Sequence, residues 1–92
     1  MARIFNIYFT YDDLLYNAIV SVRTTPFFTE YNLGNLDADL AFLLPGSKVF
    51  SQRPGHLFFQ NIAPHHSVDL MNEIIRSINE HLHAGNDVSS QA

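Results

Sequence analysis

Arg3-Ile4-Phe5-Asn6-Ile7-Tyr8-Phe9-Thr10-Tyr11-Asp12-Asp13-Leu14-Leu15-Tyr16-Asn17-Ala18-Ile19-Val20-Ser21-Val22 is the stretch on which the fold turns. Its first nine residues alternate, with Phe5, Ile7, Phe9 and Tyr11 on one face and Ile4, Asn6, Tyr8 and Thr10 on the other. Asp12-Asp13 supplies a turn, because Asp bonds readily to nearby backbone. Leu14 to Thr25 then alternates again, with Tyr16, Ala18, Val20 and Val22 on one side and Leu15, Asn17, Ile19, Ser21 and Arg23 on the other. Two β-rich runs joined by two residues predict a hairpin.

Working outward, Pro26 punctuates the second strand, since it has no N–H to donate. A third strand is expected over Phe27–Leu33, with Phe27, Tyr31 and Leu33 on one face, and Gly34-Asn35 ends it. Leu36, Leu40, Leu43 and Leu44 have helical spacing, Asn35 suits an N-cap, and Pro45-Gly46 is a stop, so 36–44 is expected to be a short helix. Lys48–Gln52 reads as a fourth strand, and His56–Gln60 as a short fifth after the turn Arg53-Pro54-Gly55. From His66 to His83, Val68, Leu70, Met71, Ile74, Ile75, Ile78 and Leu82 gather on one arc of a helix. Glu73, Arg76 and Glu80 lie opposite, spaced to pair. Gly85 is expected to end the helix, leaving 86–92 as a disordered polar tail and 1–85 as the domain.

The expected fold is α+β: an antiparallel sheet of four to five strands in the order β-β-β-α-β-(β)-α, with the C-terminal amphipathic helix on one face. That helix covers only one side. Ile4, Tyr8, Leu15 and Ile19 make the other side too apolar for a solvent face, so either the short helix or a second subunit is expected to cover it. A homodimer is the expectation.

Composition narrows the function. The 92 residues suffice for one domain. The absence of cysteine excludes disulfides, thiolate zinc sites and Cys nucleophiles. With no signal peptide and no run long enough to span a membrane, the expected location is cytoplasmic. A net charge of −4 with five scattered Lys and Arg argues against nucleic acid, which requires clustered cations.

Few residues carry a chemical signal. His65-His66 point in different directions, and His81 and His83 lie about 200° apart around a helix, so neither pair chelates an ion. His65, Asp69 and Glu73 share one helical face, but Asp69 is equally explained by a helix start. No metal, cofactor or catalytic residue is therefore assigned. His81 falls at the margin of the apolar arc, where a half-buried ring is expected.

The segment 45–56 gathers two of the five cations, two serines, two glycines and a histidine. It lacks the P-loop spacing, since Ala41 stands where the first Gly belongs and Ser47 separates Gly46 from Lys48. Turn amides beside Lys48, Arg53 and His56 nevertheless suit an anion. No serine has the flanking glycines of a nucleophile elbow.

Leu43-Leu44-Pro45-Gly46-Ser47-Lys48-Val49-Phe50-Ser51, with Arg3-Ile4-Phe5-Asn6-Ile7-Tyr8-Phe9, resembles a family of short, uncharacterised bacterial proteins. The resemblance implies a stand-alone domain and carries no functional residue over.

Two functions remain. One is a non-catalytic protein-interaction domain, homodimeric or docking another protein, in which adjacent rings at Phe27-Phe28 and Phe58-Phe59 send one of each pair away from the core to act as interface anchors. The other is a small-molecule or anion-binding domain using Lys48, Arg53 and His56.

Overall fold

The computed structural model describes residues 3–53 and 55–91, those from 84 onward by their backbone alone. The elements are β1 (Arg3–Tyr11), β2 (Leu14–Thr24), β3 (Thr29–Gly34), α1 (Ala38–Phe42), β4 (Lys48–Arg53), β5 (His56–Phe58) and α2 (Val68–Gln91). The five strands form one antiparallel sheet in the order β1-β2-β3-β4-β5. The expected α+β architecture is therefore present with all five strands.

The β1–β2 hairpin pairs Arg3 with Val22 and Tyr11 with Leu14, in unbroken register. Asp12 and Asp13 both take positive φ, 53° and 64°. That is the geometry of the tight two-residue turn whose twist matches the strands it joins, and Asp accepts it more readily than most residues.

Alternation produces one buried face. Ile7, Phe9, Ala18, Val20, Val22, Tyr31, Leu33, Val49 and Phe59 meet Leu70, Met71, Ile74 and Ile78 of α2, Leu40 of α1 and Leu44 just after it. Ile74 and Ile78 are fully buried. Polar contacts fix how α2 lies on β1: Ser77 Oγ donates to the Tyr8 carbonyl at 3.1 Å. Tyr11 Oη and Ser67 Oγ are hydrogen-bonded near the helix start, also at 3.1 Å. On the far side of α2, Arg76 bonds Glu73 at 2.9 and 3.0 Å and Glu80 at 2.7 Å.

Several boundaries differ from expectation. Phe27 does not open β3. Thr25 Oγ1 accepts from the Phe27 and Phe28 amides, which bends the chain and leaves Phe27 84% exposed. Asn35 is not the cap of α1. It takes a left-handed φ of 58°, and Asp37 caps instead by accepting from the Asp39 amide. Val68, expected in the apolar arc, is exposed because it stands at the helix start, ahead of the first turn that reaches the core. His81 is exposed rather than half-buried, its ring lying flat on Phe5 at 3.9 Å.

Gly85 does not stop α2, which runs to Gln91. Glycine weakens a helix by about 1 kcal/mol relative to alanine but ends it only where the chain turns left-handed. The helix takes in 86–91 of the tail expected to be disordered, and Ala92 lies outside the described residues.

The outer face of the sheet is not covered by α1, which packs on the same side as α2. The Ser67 amide donates to the Leu43 carbonyl at 2.9 Å, joining the exit of α1 to the start of α2. Ile4, Tyr8 and Leu15 are more than half exposed on the outer face, with Ile19 beside them.

Candidate functional site

The register dictates which side chains meet at the end of the sheet where β1 begins. Arg3, Val22, Tyr31 and Val49 form one cross-strand row, and Thr24, Thr29 and Ser51 form the next. All of them project to the α2 side, because residues opposite one another share a face.

Beyond Ser51 the β4–β5 register slips. Ser51 Oγ donates to the Arg53 carbonyl at 2.7 Å across the irregularity. Such a bulge re-aims the side chain that follows it, and Arg53 lines the same hollow as Ser51. The last described turns of α2 form the opposite wall.

The result is a hollow of about 360 Å³ whose lining includes Phe28, Tyr31, Arg53, Asn79, Leu82 and His83. Its size suits a small molecule. Thr25, Thr29, Ser51 and Gln52 add hydroxyl and amide groups, while Phe28 and Leu82 add apolar surface. A neighbouring hollow of about 370 Å³ lies on the other side of Tyr31 and Thr29, lined also by Arg3, Val22 and Thr24. Burial raises the pKa of the Tyr31 phenol, and the Arg3 guanidinium opposes that rise.

The three ligand residues expected from sequence do not come together. Lys48 sits on the outer face, pairs with Glu30 at 3.5 Å, and edges a separate hollow of about 310 Å³ with Phe50 and Gln60. Arg53 lines the hollow beside α2. His56 stands opposite Arg53 across the β4–β5 turn, exposed, and lines none of these hollows. Asn79 and His83 line the same hollow as Arg53, and neither the apolar arc nor the ion pairs of α2 mark them for that place.

The four phenylalanines also separate. Phe28 meets Phe50 edge-on at 5.7 Å, and Phe58 leans on Phe50 at 6.2 Å, forming a small aromatic group. Phe27 projects into solvent and Phe59 lies in the core.

Other candidates have structural duties. Glu30, buried on the outer face, accepts from Asn32 Nδ2 at 3.0 Å. That hydrogen bond, with Lys48 and Arg23 close by, holds its carboxyl below its ordinary range despite burial. His66 Nδ1 accepts from the Ala63 amide at 2.8 Å, and burial, then the neighbouring His65, lowers its pKa. Among the described residues no three His, Asp or Glu side chains form a metal-sized cluster, and no helix is long and apolar enough to cross a membrane.

Comparison with protein-family models, with curated proteins and with solved structures finds no match. Geometry and charge alone therefore carry the functional reading.

Proposed function

We propose that the protein is a binding domain for an acidic small molecule, held in the hollow between Asn79–His83 of α2 and strands β3 and β4. Charge placement carries this reading. The chain has nine carboxylates against five Lys and Arg, yet the described lining of the hollow holds Arg53, His83 and no carboxylate. A guanidinium offers a planar fork of donors to a carboxylate or phosphate. The Thr25, Thr29, Ser51 and Asn79 side chains supply neutral hydrogen bonds, and Phe28 and Leu82 supply apolar contact. The cysteine-free composition fits work in a reducing cytoplasm.

A thermal-shift screen with phosphate, sulfate, nucleotides and common carboxylic acids tests it. A ligand at one hundred times its dissociation constant adds about 2.7 kcal/mol of stability. Saturable stabilisation by an acidic compound is expected, abolished by Arg53→Gln and retained by Lys48→Gln. A flat screen, or equal loss in both variants, removes the reading.

A second reading has its own observation. Ile4, Tyr8, Leu15 and Ile19 form an uncovered apolar strip across β1 and β2, and a second copy of the chain laid face to face on it would remove that strip from water. Sedimentation at micromolar concentration should then show a dimer. The two readings use opposite faces of the sheet and are compatible.

A further inference from the structure

The cations of this chain divide by what they face. Among the described residues Lys48 pairs with Glu30, and Arg76 with Glu73 and Glu80. Arg23 stands opposite Glu30 in the β2–β3 register and helps hold that carboxyl ionised. Arg3 and Arg53 make no ion pair among the described residues. These two line the adjoining hollows, which share Thr29 and Tyr31 and whose described linings contain no carboxylate. In an acidic protein, the cations without an ion pair among the described residues open onto two hollows that adjoin at Thr29 and Tyr31.

We propose that the two adjoining hollows together take a chain-like molecule with an acidic group at each end, one on Arg53 and His83, the other on Arg3, its middle lying across Tyr31. The inference rests on the reading of the Arg53 hollow as a ligand site, and adds the second anchor. Strand spacing motivates the second acid. β1 and β4 are three strand steps apart, roughly 14 Å at the usual spacing, and Arg53 lies further along its strand than the residue level with Arg3. A ligand with an acid at each end meets both cations without either side chain reaching across the sheet.

The surface between them suits a chain with both apolar and hydroxyl-bonding parts. Val22, Tyr31, Phe28 and Leu82 line it, with the hydroxyl-bearing Thr24, Thr25 and Thr29 alongside. Either carboxylates or phosphates meet the requirement at the ends, since both accept a guanidinium fork.

Titration calorimetry on the full chain tests the assignment. The probes are linear dicarboxylates from succinate to dodecanedioate, monocarboxylates of matched length, and the corresponding alkane bisphosphonates. An optimum chain length is expected, at which a diacid binds at least about tenfold more tightly than its monoacid, a difference of about 1.4 kcal/mol. Arg3→Gln should bring the diacid down to the monoacid's affinity and leave the monoacid unchanged. Arg53→Gln should weaken both.

Tighter binding of bisphosphonates than dicarboxylates identifies phosphate ends, and the reverse identifies carboxylate ends; either supports a two-ended ligand. Equal affinity of wild type for diacids and monoacids overturns the second anchor, as does an Arg3→Gln loss shared equally by both classes. The Arg53 site survives that result if Arg53→Gln still weakens binding. If no probe of any class binds wild type, site and anchor fall together.

Discussion

At the scale of single residues, Glu30 is the clearest case of a charge used for structure. It is buried on a face of the sheet that is otherwise open, and Asn32, Lys48 and Arg23 surround it. Its carboxyl is held below the ordinary range in the folded chain and returns to that range on unfolding. The unfolded state therefore binds the proton more readily. Glu30 contributes stability above the ordinary carboxylate range, and that contribution is lost as pH falls through the range towards its depressed native value. Melting temperatures of wild type and Glu30→Gln should differ most near neutrality and converge in acid. Parallel curves would mean that the ion pair and hydrogen bond contribute nothing specific. Arg53 is the opposite kind of residue, an exposed cation with no ion pair among the described residues, and its substitution should change binding with little effect on folding.

At the scale of elements, α2 gives the sharpest mechanical expectation. Ile74 and Ile78 are fully buried against the sheet, so Ile78→Ala should cost about 2–5 kcal/mol through lost transfer energy and a residual cavity. A domain of this size loses roughly 4–8 °C of melting temperature per kcal/mol. Glu80→Ala, which removes only an exposed partner of Arg76, should cost less than about 0.5 kcal/mol. Urea titration of the two variants checks the contrast, and a reversed order would require a different helix register.

This register was legible in sequence because an amphipathic helix repeats its signal over many turns, as the first hairpin does over two long strands. Short elements were less legible. The onset of β3 depends on a Thr25 side chain that bends the backbone at Phe27, and the cap of α1 on which of two neighbouring polar residues turns left-handed. The site was least legible of all. Arg3 and Arg53 are fifty positions apart, and only the pairing of four successive strands brings them to one end of one face. The register slip between Ser51 and Arg53 leaves no mark in the alternation. Segment 45–56 pointed to Arg53, but its closeness in sequence to Lys48 hid their placement on opposite sides of the sheet.

At the scale of the whole molecule, the sheet has one face sealed by α2 and one left open. Because Leu15 and Tyr8 are exposed in the single chain, Leu15→Lys and Tyr8→Ser should each change its intrinsic stability by no more than about 0.5 kcal/mol. If a second copy covers the face, the same variants should abolish the concentration dependence of sedimentation and of melting. A wild-type chain that sediments as a monomer throughout would leave that face without a role in self-association.

The sheet also follows the chain: every strand pairs with the one made just before it, and no strand crosses another. Each pairing closes a short connection, which favours rapid folding. The helix is the exception, because it returns from the far end of the sequence to lie on the first strand. On a ribosome, the strands would be complete while the helix was still inside the exit tunnel. Both apolar faces of the nascent sheet would then be bare at once, and the interval before α2 emerges is when the newborn chain most needs a chaperone or a slow neighbour.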